Sequence, residues 1–210
     1  MARPKQQDKR RSELILATQR VIGQFGLDGA KLARIAGAAG LTPGAVLYYY
    51  PDTEELVLEA INSSMARFYE ERARMLESLD DDPPQRMVSM IENGLPGSRD
   101  DVDVRLFCQL GGAAGANQLA ATLITTLYDR QVSLYQVILE QGRARGIFGG
   151  SNPSLEVARN IVALEDAYGY RIVADHPTIT NEVAANLLLG YVRAETGHPL
   201  PRTGAEGPRN

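Results

Sequence analysis

The sequence predicts an all-α protein in which nine helices form a two-domain arrangement. Apolar residues recur along most of the chain with the spacing of an amphipathic helix. Runs of alternating Val, Ile and Thr bounded by turns, which indicate strands, are scarce. Because 44% of the 210 residues are hydrophobic, the chain can bury a sizeable core, and wholesale disorder is excluded.

The first two predicted helices lie near the start of the chain. Leu14 and Val21 belong to one apolar stripe of an amphipathic helix that Gly26 ends. A second, short helix spans about 31–39. It ends at Gly40, which can adopt the positive φ of a tight turn.

The next two helices are predicted from their capping residues. Thr42 before Pro43 is typical of an N-cap followed by the first helical residue, so a third helix begins there. That helix ends before Pro51, because the residue preceding a proline disfavours the helical conformation. Asp52 caps a fourth helix, which runs to about residue 79.

Five further helices, separated by Gly and Pro residues, complete the predicted fold. We divide the chain into a three-helix domain at 1–51 and a larger helical domain at 52–196, with the helix at 52–79 linking the two. The Pro-rich segment 197–210 is expected to be a disordered tail. The five later helices are predicted at about 85–95, 101–116, 118–145, 153–174 and 181–196.

Composition excludes several classes of protein. The single cysteine, Cys108, excludes an internal disulfide framework and a Cys-based zinc finger. The N-terminus has no apolar stretch behind its charges, so we expect it not to be a secretory signal. The longest charge-free run, Leu106–Tyr128, is too polar for a membrane span. We therefore expect a cytoplasmic protein with no membrane partner.

Catalytic patterns do not stand out in the second half of the chain. The only histidines, His176 and His198, precede prolines and lack the spacing of metal ligands to each other or to Cys108. A Gly-Lys-Ser/Thr phosphate loop does not occur either. We expect no catalytic residue, no metal and no cofactor, and thus not an enzyme.

Positive charge is concentrated at the N-terminus. Residues 1–51 contain 8 Lys and Arg against 3 Asp and Glu, a net charge of +5. Residues 52–210 contain 14 against 23, a net charge of −9. The basic cluster fits either a solvated tail or an arm that binds nucleic acid. Its members are Arg3, Lys5, Lys9, Arg10 and Arg11.

The second and third helices carry the spacing of a helix-turn-helix. A small residue at Ala36 lets two helices cross closely, Gly40 makes the turn, and Val46 fills the angle between the helices. In a helix-turn-helix, the second of the two helices enters the major groove of DNA. An ordinary αα-corner can show the same spacing, but the basic arm and the capped third helix favour the DNA-binding interpretation.

The residues around this pattern resemble a known family. The segment from Gly26 to Leu56 is similar to the N-terminal DNA-binding domain of TetR-type transcriptional regulators, with a specific match over about residues 10–60. The resemblance implies a homodimer formed through the last two helices, about 153–174 and 181–196, and a central pocket for a small-molecule effector. The run that carries the resemblance is Ala39-Gly40-Leu41-Thr42-Pro43-Gly44-Ala45-Val46-Leu47-Tyr48-Tyr49-Tyr50-Pro51-Asp52-Thr53-Glu54-Glu55-Leu56.

Helical geometry predicts which residues face DNA. At about 100° per residue, Val46 and Tyr50 point inward and the opposite side of the third helix points outward. The free N–H groups near Thr42 suit a phosphate, and Ala45 can touch a thymine methyl. Two alternatives stay open, an aromatic cluster for the tyrosines and plain solvation for Lys31 and Arg34. The predicted DNA contacts are Arg3, Lys5, Arg10, Arg11, Lys31, Arg34, Thr42, Pro43, Gly44, Ala45, Tyr48, Tyr49 and Thr53.

Three positions depart from the family pattern. Leu47 stands where a phosphate-contacting tyrosine is usual, Thr53 where a lysine opens the fourth helix, and Lys31 where a threonine commonly starts the second. The third helix also contains no Arg, Lys, Asn or Gln, so bidentate base contacts are not available there. We infer that recognition depends on DNA shape and on the basic arm.

Candidate effector residues lie in the larger domain. Glu165 and Asp166 are unusual because they fall in an apolar part of a helix, where they either bind an effector or form a hydrogen-bonded interface or a solvent face. Hydrophobic walls with a few polar groups favour an apolar or amphipathic effector, although each residue also fits a plain core. The candidate pocket residues are Phe68, Met87, Met90, Ile91, Phe107, Cys108, Asn117, Leu123, Tyr128, Tyr135, Glu165 and Tyr168.

Taken together, these features predict a ligand-responsive transcriptional regulator that binds double-stranded DNA. Its simplest form is a repressor that leaves a palindromic operator when an effector binds between the fourth and eighth helices. Two alternatives are an all-helical small-molecule-binding protein or enzyme with an incidental basic N-terminus, and an architectural DNA binder without an effector. Retarded migration of DNA in a gel tests the first alternative. Release of the protein from DNA by an effector tests the second.

Overall fold

The computed structural model describes residues 3–201, with side chains from residue 7 onward. Within that range the chain forms nine α-helices and no strand, which confirms the predicted fold class. The side chains of Arg3 and Lys5 and the tail beyond residue 201 lie outside the described residues. The helices are α1 (Arg3–Gly29), α2 (Leu32–Ala38), α3 (Pro43–Tyr49), α4 (Thr53–Ser78), α5 (Pro83–Gly94), α6 (Val102–Ala113), α7 (Gln118–Ala144), α8 (Ser154–Val173) and α9 (Asn181–Thr196).

Gly26 kinks the first helix instead of ending it. Its backbone has φ 72° and ψ 177°, values outside the helical region, and α1 resumes for three residues up to Gly29. A glycine tolerates this conformation because it has no Cβ. The helix end predicted at Gly26 is therefore wrong by three residues, although the predicted break in regular structure is present.

The turn between α2 and α3 has the geometry predicted for Gly40. Its φ is 65°, in the left-handed region that favours glycine. The N–H of Leu41 donates to the carbonyl of Ala36 at 2.9 Å, and the N–H of Gly40 donates to that of Gly37 at 3.2 Å. These bonds satisfy carbonyls at the end of α2 and set the angle at which the chain enters α3.

The predicted caps are also confirmed. The Thr42 side-chain oxygen accepts a hydrogen bond from the N–H of Ala45 at 3.2 Å, and Pro43 occupies the first turn of α3. Asp52 Oδ1 accepts from the N–H of Glu54 at 2.8 Å at the start of α4. Both caps satisfy backbone donors that a helix start leaves unpaired.

The helices group into two compact units, and the grouping differs from the predicted division. The first unit comprises the chain up to Phe68 together with Val102–Thr125. The second comprises Tyr69–Asp101 and the chain from Thr126 onward. Helix α6 thus belongs with the three N-terminal helices, and both α4 and α7 contribute residues to each unit.

Two features of the first unit explain why α6 joins it. Gly23 on α1 packs against α6, since a Cβ at that position would lie in van der Waals contact with Arg105, 3.4 Å from its Cβ. The Asp103 carboxylate of α6 accepts hydrogen bonds from Ser64 Oγ at 2.7 Å and from Arg67 Nε at 3.2 Å, both on α4. These contacts join residues more than thirty positions apart, which helical periodicity does not reveal.

The second unit has an apolar core that extends beyond α9. Leu200 is buried, and its carbonyl accepts a hydrogen bond from Arg193 Nη1 at 2.9 Å. Nearby, the ring centroids of Phe148 and His198 lie 5.7 Å apart. The expected disordered tail is therefore wrong for residues 198–201, because Leu200 packs into the core cluster of the unit.

Gly37 and Gly40 offer a matched pair for testing the turn. A Cβ at either position would meet no atom within 4 Å, so only the backbone conformation distinguishes them. We expect Gly40→Ala to lower the free energy of unfolding by about 1–2 kcal/mol, because φ is positive there. Gly37→Ala, inside α2, is expected to raise it by roughly 0.5–1 kcal/mol. Urea unfolding followed by circular dichroism measures both, and equal effects of one sign would contradict the assignment.

Candidate functional site

The outward side of α3 is exposed to solvent, whereas its inward side is buried. Val46 and Tyr50 are fully buried, as the 100° spacing predicts. Tyr48 is 71% exposed, and Thr42 and Gly44 are exposed beside it. A short helix thus has one anchored face and one face available to a partner.

Tyr48 and Tyr49 form the aromatic part of this outward face. Their rings meet edge to face, with centroids 5.1 Å apart and an interplanar angle of 89°. Tyr49 is half-buried, and Leu47 beside them is 39% exposed. The alternative in which Tyr48 packs into an aromatic cluster against α1 and α4 is wrong, because its ring is largely exposed.

Arg11 connects α1 to the end of α3 and to α4. Its Nη1 donates to the backbone carbonyl of Tyr49 at 3.2 Å, and its Nη2 donates to Glu59 at 3.0 Å. The guanidinium lies 4.1 Å from the centroid of the Tyr50 ring. Burial and the nearby Glu59 carboxylate raise the pKa of Tyr50 to about 12, so this phenol stays neutral. Arg11, a predicted DNA contact, is thus engaged within the chain.

The other predicted basic contacts differ in how far they are engaged. Arg34 donates to the Gly29 carbonyl at 2.6 Å and its guanidinium stacks over the Phe25 ring, 4.4 Å from the centroid. Arg10 forms an exposed ion pair with Glu13 at 2.6 Å. Lys31 is exposed at the N-cap of α2. Of the remaining predicted contacts, Pro43 is exposed, whereas Ala45 and Thr53 are half-buried.

A buried polar cluster occupies the second unit. Arg72 of α4 and Glu165 of α8 are each 2% exposed, and Arg72 Nη2 lies 3.2 Å from Glu165 Oε1. The Tyr135 hydroxyl also donates to Glu165, and Arg72 Nη1 donates to Gln131 at 2.8 Å. Burial raises the pKa of Glu165, an effect opposed by the charge of Arg72 and by the hydrogen bonds. The carboxylate noted in the sequence is thus paired inside the chain.

Sequence reasoning missed Arg72, although a signal for it exists. Ile61, Phe68 and Arg72 continue one stripe of α4 at helical spacing, so a charged residue follows the apolar side of that helix. A charge in that position needs a partner when it is buried. Its partner Glu165 lies 93 residues away, and sequence alone does not reveal that pairing.

The predicted effector residues fall into two groups. Phe68, Phe107, Cys108, Asn117 and Leu123 belong to the first unit, where the rings of Phe68 and Phe107 lie 5.4 Å apart. The other seven belong to the second unit, where six of them line or adjoin the apolar core and Glu165 forms the buried pair. These seven are Met87, Met90, Ile91, Tyr128, Tyr135, Glu165 and Tyr168.

Two kinds of site are absent from the part of the chain that the structure describes. None of its helices combines the length and apolar character needed to cross a membrane. Among the same residues, His, Cys, Asp and Glu side chains form no group of three or more that could hold a metal ion.

The helix-turn-helix geometry of α2 and α3 agrees with a match to a protein family. Residues 14–60, which include α2 and α3, match the family model described as bacterial regulatory proteins, tetR family. This N-terminal segment of the chain is therefore similar to the tetR family. The predicted resemblance is thus confirmed.

Curated proteins similar to this chain carry the description HTH-type transcriptional regulator BetI. The protein from Stenotrophomonas maltophilia is 31% identical over 90 residues, which cover 43% of this chain and 46% of that protein. The chain thus aligns with about half the length of that relative. The protein from Pseudomonas aeruginosa PAO1 is 24% identical over 186 residues, which cover 87% of this chain and 91% of that protein.

Solved structures share the fold of this chain. A transcriptional regulator from Saccharomonospora viridis, in complex with choline, has a TM-score of 0.79 and 18% identity and covers 90% of this chain and 98% of its own. A TetR transcription regulator from Haloarcula marismortui has a TM-score of 0.76 and 19% identity and covers 90% of this chain and 99% of its own. At such identities the likeness supports the all-α fold alone.

The contacts of Arg11 and Lys31 predict that alanine substitutions at the two positions change the salt dependence of DNA affinity differently. Arg11→Ala should weaken binding to duplex DNA but leave the slope of log K against log salt unchanged, because its charge faces Glu59. Lys31→Ala should weaken binding and reduce that slope by about one, as expected for a lost phosphate contact. Fluorescence anisotropy at several salt concentrations measures both. A reduced slope for Arg11→Ala would instead show that Arg11 contacts phosphate.

The buried pair predicts a marked asymmetry between single and double substitutions. Glu165→Gln removes the counter-charge of Arg72 and should lower the free energy of unfolding by about 3–5 kcal/mol. The double variant Arg72→Met/Glu165→Leu should recover most of that loss, since neither charge is then buried. The pair of Arg67 with Asp103, whose side chains are 34% and 17% exposed, is the less buried control, and Arg67→Met should cost about 1 kcal/mol. Urea unfolding compares the variants, and a double variant no more stable than the single one would contradict this account.

Proposed function

We propose that this chain is a ligand-responsive, DNA-binding transcriptional regulator that acts as a repressor. The observation that carries the proposal is the two-sided α3, with Val46 and Tyr50 fully buried and Tyr48 71% exposed. A short helix anchored on one side and free on the other suits insertion into the major groove. The N-terminal end of α3, with Thr42 and Gly44 exposed, suits a DNA phosphate.

DNA recognition by this regulator depends on shape and charge more than on bidentate base contacts. Helix α3 contains no Arg, Lys, Asn or Gln. Its outward side offers Tyr48 and Tyr49, whose hydroxyls can bind phosphate oxygens, and Ala45, which can touch a thymine methyl. Basic residues at the start of α1 add charge that can reach a neighbouring groove, although Arg11 among them is held by Glu59. Binding to DNA also implies that the protein acts in the cytoplasm.

A homodimer formed through α8 and α9 is supported by exposed apolar side chains on those helices. On α8 they are Leu155 and Tyr170, and on α9 they are Val183 and Leu187. On each helix the exposed pair is spaced so that both members lie on one side, as the packing of two copies requires. A two-fold dimer presents two α3 helices, so the operator should be palindromic with half-sites about one DNA turn apart.

The effector of this regulator acts through α4. The buried pair joins Arg72 of α4 to Glu165 of α8, so a molecule that binds among these helices can change the position of α4. The effector shifts the equilibrium between the DNA-binding conformation and the conformation that does not bind DNA. It does so only if it binds the second conformation more tightly. The Saccharomonospora viridis regulator of the same fold was solved with choline, so choline is a first compound to test here beside more apolar molecules.

Selection of bound DNA from a random pool tests the proposal. We expect the purified protein to enrich a palindromic site whose binding weakens as salt rises. Tyr48→Ala should weaken binding to that site by about tenfold, the loss of roughly 1.4 kcal/mol that one or two contacts supply. Leu16→Ala, which alters an exposed leucine on α1 instead, is the control.

The outcomes of the selection separate the alternatives. A lack of retained DNA would favour an all-helical small-molecule-binding protein or enzyme. Retention without an enriched sequence would favour an architectural DNA binder. The variant Leu155→Asp/Leu187→Asp tests the dimer, since monomers should enrich single half-sites without symmetry. A symmetric site selected by that variant would contradict the assignment of α8 and α9 as the interface.

A further inference from the structure

An open cleft of about 540 Å³ lies within the first compact unit. Its walls come from three places: the junction of α1 and α2 at residues 27–32, the first half of α4 at residues 53–61, and the start of α7 at residues 117–123. Small-molecule sites in proteins commonly enclose roughly 300–1,000 Å³. The cleft therefore has room for a small organic molecule.

Two exposed leucines mark the apolar wall of this cleft. Leu58 of α4 is 37% exposed and Leu119 of α7 is 49% exposed, and both line it together with Val57 and Leu123. They lie neither on the outward side of α3 nor on the apolar faces of α8 and α9. Exposed apolar side chains that share one concave surface are typical of a ligand site.

The polar rim of the cleft indicates the chemistry of the other end of the ligand. Asp28 and Glu54 contribute two carboxylates and Lys31 one ammonium group. Asn117, also on the rim, already accepts a hydrogen bond from the N–H of Ala120 at 3.0 Å, which caps α7. The excess of negative charge favours a cationic or neutral polar end over an anionic one.

We propose that this cleft binds a small amphipathic molecule with an apolar body and a cationic or neutral polar end, and that the bound molecule opposes DNA binding. The second part rests on the proposed function. Lys31 and Thr53, both predicted DNA contacts, line the cleft at the starts of α2 and α4. A ligand in the cleft therefore competes with DNA for these two residues.

Fluorescence titration of the full chain with two dansyl probes tests the site. Dansylcadaverine carries an apolar ring system and an ammonium group, and dansyl-aminohexanoate carries the same ring system and a carboxylate. We expect dansylcadaverine to bind roughly two- to fivefold more tightly, a modest ratio because the rim charges are exposed. Equal affinities, or tighter binding of the carboxylate, would overturn the assignment of the polar end.

Paired substitutions locate the probe. Leu58→Asn/Leu119→Asn should weaken dansylcadaverine binding by about fivefold or more, because it removes apolar area from the wall. The control is Leu16→Asn/Val137→Asn, which alters leucine and valine side chains that are 45% and 51% exposed but do not line the cleft. Circular dichroism verifies that both variants are folded. Equal affinity in the two variants would place the probe elsewhere and overturn the site.

The coupling between probe binding and DNA binding is measured on the same samples. By linkage, the factor by which the probe weakens DNA binding must equal the factor by which DNA weakens probe binding. We expect both factors to exceed one and to disappear in Leu58→Asn/Leu119→Asn. Probe binding unaffected by bound DNA would overturn the coupling. A chain that binds the probe in the cleft but never binds DNA would contradict the proposed function and leave the ligand site standing.

Discussion

The DNA-facing surface depends on how a seven-residue helix is held in place. Helix α3 is too short to be stable by itself in water, since helices below about 12–15 residues are marginal. Thr42 caps its start, and Val46 and Tyr50 are buried beneath it. Arg11 then binds the carbonyl at its last residue and the Glu59 carboxylate of α4. The outward side can stay free for a partner because the inward side and both ends are secured.

Helix α4 is the second element on which the structure depends. It contributes Leu56 to the buried residues of one compact unit and Arg72 to the buried ion pair of the other. Burying two charges costs desolvation, so such a pair is weak support for stability taken alone. It does make one arrangement of α4 and α8 specific, because any other arrangement leaves a charge unsatisfied in an apolar interior. A ligand that changes this pairing therefore has a defined element to act on.

Local signals made the helices predictable. Thr42-Pro43, Gly40 and Asp52 act on neighbouring backbone groups, so their effects can be read from adjacent residues, and the structure confirms each of them. The break at Gly26 was also predictable, but the short continuation of α1 beyond it was not. That continuation is contacted from outside the helix by Arg34, which donates to the carbonyl of Gly29 at 2.6 Å.

The helices, their caps and the inward side of α3 are predictable from the amino-acid sequence, because they depend on periodicity and on residues within one helical turn. Folding in three dimensions sets which helices pack together, as in the contact of Asp103 with Ser64 and Arg67 that places α6 in the first unit. It also decided that Arg11 faces Glu59 and that Glu165 faces Arg72. A charged side chain looks the same in sequence whether it contacts a ligand or a partner in its own chain, and only the folded arrangement brings the two charges together.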